Sequence, residues 1–308
     1  MKGPLFYAKI LLFGEYGIIK DSKGLAIPYN SYRGALKTSD NLEGVAKKSN
    51  ESLQKFYTYL ASLNSELVAF DLNEFKADLA KGMFFDSSIP QGYGVGSSGA
   101  LVASIYDKYA LDKITVLENL TRDKLLKLKA IFSQMESFFH GKSSGLDPLN
   151  SYLSLPILIN SKENIEPAGI PSQKEGKGAV FLLDSEQIGE TEPMVNIFMN
   201  KMKNEGFRKM LSEEFALHTD ACIDDFLNGN VKSLFTNVKK LSKVVLKNFK
   251  PMIPDAFHNV WEKGISTNDY YLKLCGSGGG GYILGFTEDF SKAQQSLKDY
   301  KLELVYRF

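Results

Sequence analysis

Pro90-Gln91-Gly92-Tyr93-Gly94-Val95-Gly96-Ser97-Ser98-Gly99-Ala100 is the stretch on which the reading of this chain turns. Gly92, Gly94 and Gly96 let the backbone take positive φ and approach a ligand closely. Ser97 and Ser98 stand where hydroxyls and unpaired helix N–H groups would meet an anion, because residues 101–109 that follow read as a helix. The spacing is not that of a P-loop, which would close on Lys-Ser/Thr where Ser98-Gly99 stands here. Nor is it a dinucleotide fingerprint, which follows a first strand and has an acidic residue about 20 positions on. On its own such a loop fits a phosphate cradle or an exposed turn equally well.

Two further segments narrow the choice. Residues 8–17, Ala-Lys-Ile-Leu-Leu-Phe-Gly-Glu-Tyr-Gly, form an apolar strand with Lys9 at its start and Gly14-Glu15 at its end. Residues 273–282, Lys-Leu-Cys-Gly-Ser-Gly-Gly-Gly-Gly-Tyr, are a second glycine cluster leading into a strand. In this order the three segments resemble the GHMP kinases, the superfamily of galactokinase, homoserine kinase, mevalonate kinase and phosphomevalonate kinase. Its motifs are a strand ending in Gly-Glu, a Pro-x-x-x-Gly-x-Gly-Ser-Ser loop and a C-terminal Gly-rich turn. The resemblance spans almost the whole chain. It implies an α+β, two-domain fold with an N-terminal α/β domain of ribosomal-protein-like topology and a C-terminal ferredoxin-like domain.

Composition agrees with a globular enzyme and excludes bulk electrostatic partners. Lys and Arg number 37 against 36 Asp and Glu, so a net charge of +1 offers no general attraction to nucleic acid or an anionic membrane, and anion binding must be local. No stretch approaches the roughly 20 apolar residues of a membrane span, and no cleavable leader is read at the N-terminus. Cys222 and Cys275 are far apart and are expected to be reduced, which fits a cytoplasmic protein. His140, His218 and His258 lack the spacing of a zinc site.

Along the chain, residues 9–13 and 24–32 read as strands, 51–63 as a helix and 67–71 as a strand. Residues 122–139 form a second helix after the glycine loop, with Leu125, Leu128, Phe132, Met135 and Phe139 at three-and-four spacing. Residues 153–159 read as a strand. The polar, aperiodic stretch 160–177 then suggests a domain boundary, dividing the chain into 1–165 and 166–308. Beyond it, residues 179–184 are expected as a strand, 195–226 and 231–249 as mostly helical, 270–286 as two strands around the glycine turn, 290–300 as a helix and 302–308 as a closing strand.

Two carboxylates stand out. Glu136 lies at the edge of the apolar stripe of residues 122–139, where a lone buried carboxylate is costly, so it either reaches solvent or has a partner. Eleven residues later Asp147 sits in Ser143-Ser144-Gly145-Leu146-Asp147-Pro148, which on residue types alone is a good turn. Mevalonate kinases carry a Pro-Ser-Gly-x-Asp segment here, with a glutamate at the same interval. That resemblance implies catalytic roles for Asp147, as acceptor or orienter of the substrate hydroxyl proton, and for Lys9, as the charge beside the transferred phosphoryl group. It implies Mg2+ held by Ser98 and Glu136, and ATP held by Gly92, Gly94, Gly96, Ser97, Ser98, Gly278 and Gly279. Glu15, Ser144 and Gly276 fall on the acceptor side. Phosphoryl transfer asks for little beyond positioning and charge neutralisation, which these residue types supply.

The implied activity is ATP-dependent phosphorylation of the primary hydroxyl of a small hydroxy acid, foremost mevalonate to 5-phosphomevalonate in isoprenoid biosynthesis, by a monomer or homodimer. Departures bear on the substrate. Phe13 precedes Gly14-Glu15 where many mevalonate kinases have histidine, Tyr16 follows where they have another, Lys142-Ser143 replaces the usual residues before Ser-Gly, and Gly99 replaces a common alanine. Phosphomevalonate kinase and a non-catalytic nucleotide- or metabolite-binding homologue remain as alternatives. Four arginines are few for a diphosphate-handling decarboxylase.

Overall fold

The computed structural model describes residues 4–20, 22–63, 66–115 and 119–308. They fall into two compact units that alternate along the chain: unit 1 is Met1–Lys9, Pro28–Pro90 and Gly96–Leu155, and unit 2 is Ile10–Ile27, Gln91–Val95 and Pro156–Phe308.

Strands β1 (Phe6–Phe13) and β2 (Gly24–Thr38) each begin in one unit and end in the other. In unit 1, the far end of β2 pairs antiparallel with β3 (Met83–Ser87), in register from Gly34 opposite Ser87 to Thr38 opposite Met83. Helices α1 (Gly44–Ser62), α2 (Leu72–Ala80), α3 (Ser97–Tyr109), α4 (Arg122–His140) and α5 (Leu146–Leu153) complete the unit. Its core is aromatic: Phe75 stacks on Tyr109 at 4.5 Å between ring centres, and Tyr106 meets Phe132 edge-on at 5.0 Å. Such pairs add about 1 kcal/mol each beyond the area they bury.

In unit 2, the near end of β2 pairs antiparallel with β4 (Ile157–Ser161), and β4 with β5 (Asn164–Pro167). A second sheet has the order β7-β8-β6-β9, formed by β6 (Ala179–Asp184), β7 (Tyr271–Leu274), β8 (Tyr282–Thr287) and β9 (Leu302–Arg307), with every pairing antiparallel. That is the ferredoxin-like strand order. The central strand β6 reads Ala-Val-Phe-Leu-Leu without a polar break because both of its faces are buried. Helices α6 (Thr191–Lys201), α7 (Glu205–Met210), α8 (Ala216–Leu227), α9 (Val231–Asn248), α10 (His258–Thr267) and α11 (Phe290–Ser296) belong to the same unit, with one π-turn at Leu211–Phe215.

Several boundaries differ from the sequence reading. Residues 67–71 form no strand: Phe70 makes a single bridge to Ala110, and the Asp71 carboxylate instead caps α2, accepting from the Glu74 N–H at 2.9 Å. Residues 153–159 are split, because Leu153 ends α5, Ser154 is left-handed at φ 53° and Pro156 blocks any continuation of the helix. The helical run 195–226 is three helices, with Asn204 capping α7 by accepting from Phe207 N–H at 3.0 Å. Within the polar stretch 160–177 lies β5.

Candidate active site

Lys9 occupies an inward position on β1 and is only 4% exposed. A buried ammonium needs an anion, and it has one: Lys9 Nζ lies 2.8 Å from Asp147 Oδ1. Asp147 sits in the first turn of α5, where a carboxylate also suits the helix dipole, and its side chain remains 37% exposed. The pair is therefore sealed on the lysine side and open on the aspartate side. The Ser151 hydroxyl donates to the Tyr7 carbonyl at 2.8 Å, fixing α5 against β1 and with it the Lys9–Asp147 register.

Gly99 brings α3 into the same place. A Cβ at this position would lie 2.7 Å from the Asp147 carbonyl carbon and 2.8 Å from Pro148 N, so only glycine lets α3 and α5 approach this closely. Ser98, one residue earlier, donates its hydroxyl to Glu136 Oε1 at 3.0 Å. Glu136 is 3% exposed and accepts at its other oxygen from the Ser143 hydroxyl. Ser143 Oγ in turn accepts from Gly145 N–H at 3.0 Å. Burial, with the Asp147 charge adding to it, pushes the Glu136 carboxyl up to about 7, against the hydrogen bonds from Ser143 and Ser98 and the Lys9 charge, which favour ionisation.

Unit 1 thus gathers Lys9, Ser98, Glu136 and Asp147. Gly96, left-handed at φ 80°, precedes the first residue of α3, Ser97, and a Cβ on it would lie 2.9 Å from Lys9 Cγ. Ser144 lies in the turn before α5, its hydroxyl 3.4 Å from Leu146 N–H.

A second group forms within unit 2. Gly94 has φ 77° and a Cβ on it would be 2.6 Å from the Cys275 carbonyl, so the 91–95 segment lies flat against the turn containing Gly276, Gly278 and Gly279. Gly189 N–H donates to Gly92 O at 2.9 Å and Gly279 N–H to Met252 O at 2.7 Å, which fix the two glycine segments from outside. Glu15 is bonded to Lys273 in a buried ion pair. Tyr16, left-handed at φ 59°, stacks on Phe198 and donates its hydroxyl to the Ser277 carbonyl at 2.7 Å. Cys222 and Cys275 are both buried, with Cys275 Sγ 3.9 Å from the Gly94 carbonyl oxygen.

Three contributors escaped the sequence reading. His140 Nε2 lies 3.0 Å from Ser98 Oγ, Ser143 holds Glu136, and Lys273 holds Glu15. The first was within reach, since His140 is one helical turn after Glu136 and hence on the same face. The Lys273 contact spans 258 residues and leaves no local signal.

Residues 60–154 match the family model of the GHMP kinases N terminal domain, and the chain as a whole has the GHMP kinase fold. Among solved structures, L. major mevalonate kinase in complex with R-mevalonate is 16% identical at a TM-score of 0.64, covering 97% of this chain and 93% of that one. Streptococcus pneumoniae phosphomevalonate kinase in complex with phosphomevalonate and AMPPNP is 15% identical at 0.65, covering 99% of both chains. Lactococcus lactis galactokinase complexed with galactose is 12% identical at 0.61, covering 98% and 92%. A comparison with curated proteins finds none that matches this sequence. No helix among the described residues is long and apolar enough to cross a membrane.

Proposed function

We propose that the protein is an ATP-dependent small-molecule kinase that phosphorylates the primary hydroxyl of a small hydroxy acid, with mevalonate the leading acceptor and 5-phosphomevalonate the product. The observation that carries this reading is the Lys9–Asp147 contact at 2.8 Å, buried at the lysine and open at the aspartate, beside the Ser98–Glu136 pair. An acceptor hydroxyl reaching Asp147 meets a carboxylate able to orient it and take its proton. The Lys9 ammonium lowers the cost of the alkoxide character that develops there and of charge on the phosphoryl oxygens.

For the nucleotide we assign Gly96, Ser97 and Ser98 in unit 1, where the first N–H groups and the dipole of α3 favour phosphate, and Gly92, Gly94, Gly278 and Gly279 in unit 2, which present backbone without side chains. Among the described residues no three His, Cys, Asp or Glu side chains cluster as metal ligands. One buried carboxylate and one hydroxyl nevertheless fit Mg2+, a hard cation that takes oxygen ligands and usually completes its shell with phosphates and water. Ser98 and Glu136 would hold it, and it would supply charge neutralisation on the phosphates. On the acceptor side we assign Ser144 and Gly276, together with Glu15, which enters as part of its turn because its carboxylate is bonded to Lys273. We propose a cytoplasmic enzyme, monomer or homodimer, whose N- and C-terminal domains divide in sequence at 1–165 and 166–308, while its packing units interleave across that division.

The test is ADP release from purified protein with ATP, Mg2+ and a panel of (R)-mevalonate, phosphomevalonate, galactose and homoserine. Mevalonate is expected to give the highest kcat/KM. Faster turnover of phosphomevalonate would keep the kinase and overturn the acceptor; no ADP from any acceptor would favour a binding protein.

A further inference from the structure

Ser98 has one hydroxyl proton and, among the described residues, two hydrogen-bonding side-chain neighbours, Glu136 Oε1 and His140 Nε2, each 3.0 Å from Oγ. Glu136 and His140 are four residues apart on α4 and so reach Ser98 from the same helix face. Without a cation the Ser98 hydroxyl donates to Glu136 Oε1, which is buried and needs donors, and Nε2–H of His140 then donates to the Ser98 oxygen. A cation held by Ser98 and Glu136 would repel the hydroxyl proton to the side away from it. The proton can then no longer lie between the two oxygens. The other neighbour at bonding distance is His140 Nε2.

Building on the kinase reading above, we propose that His140 is a positioning residue for the cation site, whose Nε2 accepts the Ser98 hydroxyl proton and so fixes a Ser98 lone pair toward the cation. Accepting requires Nε2 to be bare. The imidazole therefore gives up its Nε2 proton to water and takes one from water at Nδ1, with no net change in protonation. His140 lies at the last position of α4 and is solvent-exposed, so both exchanges have a route. Partners that orient a ligand commonly change metal affinity by about 10- to 100-fold when removed.

The test uses the full chain in two measurements. Long-range 1H–15N spectra of 15N-histidine-labelled protein, which has three histidines and can be assigned with a His140→Ala variant, report the tautomer directly. Nε2 is expected to be protonated in the cation-free protein and bare once Mg2+ and AMPPNP are added. Separately, Mn2+ binding in the presence of AMPPNP is followed by electron paramagnetic resonance: His140→Phe is expected to weaken it about tenfold, and His140→Gln, whose side-chain oxygen can accept, to restore most of it. Nε2 remaining protonated with cation and AMPPNP bound, or native Mn2+ affinity in His140→Phe, overturns the proposal while leaving the kinase reading in place. Failure of the wild-type protein to bind either AMPPNP or Mn2+ overturns both. If His140→Phe does not fold, the tautomer measurement on the wild-type chain decides alone.

Discussion

Replacing Gly99 by alanine should cost both stability and turnover, although it introduces the better helix former inside α3. The added methyl would lie 2.7 Å from the Asp147 carbonyl carbon, 2.8 Å from Pro148 N and 2.9 Å from Asp147 Cβ. The first two are backbone atoms that cannot swing aside, so α3 and α5 must separate by about 0.7 Å to restore an ordinary 3.4 Å contact. Overpacking of this kind costs roughly 1–3 kcal/mol. Against it stands a gain of about 1 kcal/mol from helix propensity, which leaves a net loss of about 0–2 kcal/mol. The kinetic effect should be larger, since the displaced atoms carry Asp147 on one side and Ser98 on the other. A shift approaching 1 Å at reacting groups costs on the order of 10²-fold in rate. Urea unfolding and initial rates with ATP, Mg2+ and the best acceptor measure the two effects on one preparation. A Gly99→Ala protein with higher stability and unchanged kcat would refute the close-approach argument, because it would mean that α3 and α5 have slack.

Three other outcomes are expected. Asp147→Asn keeps the shape and removes the charge, so turnover should fall to background while an ATP analogue binds within about twofold of wild type; retained turnover would remove Asp147 from the chemistry. Lys9→Met should lower kcat by about 10²-fold or more, whereas a change confined to KM would make Lys9 a binding residue only. The Glu136 carboxyl is raised from 4.5 to about 7 by burial, so the folded, metal-free protein holds a proton that the unfolded chain has lost. Its contribution to stability is full below about pH 4.5 and is lost as pH rises through about 7, a swing of about 3 kcal/mol. In EDTA, the stability of wild type relative to Glu136→Gln should therefore decline across that window; parallel pH profiles would show that Glu136 ionises freely.

What could be read from the sequence depended on the range of the signal. The strand around Lys9, the apolar β6 and the glycine hairpin between β7 and β8 all carry their pattern within ten residues or so, and all appear where expected. Helix α2 and strand β3 were not anticipated, since α2 buries only Phe75 and Leu79 and β3 is five residues long, too little to establish a period. The proximity of Lys9, Ser98, Glu136 and Asp147 was implied by resemblance to a family and not by spacing, because nothing local says that β1 passes beneath the start of α5. Sequence spacing also could not reveal the reason for glycine at 99. A glycine at the third position of a helix resembles a weakness until the neighbouring backbone is in view.

The alternation of the two units along the chain has a consequence for synthesis and for gene architecture. Unit 1 has all of its residues once Leu155 has been added, whereas unit 2 draws Ile10–Ile27 and Gln91–Val95 from parts of the chain made long before the rest of it. A ribosome that has just passed Leu155 has therefore synthesised everything unit 1 requires, together with two orphan segments that must wait for some 150 further residues, about 10–30 s of elongation. During that interval the apolar Ile10–Phe13 stretch has not yet acquired Phe286, whose ring it will later stack against through Phe13. No single crossover point in the gene can exchange unit 2 intact: a recombinant joined after Leu155 would pair one parent's Ile10–Ile27 and Gln91–Val95 with the other parent's β6 to β9.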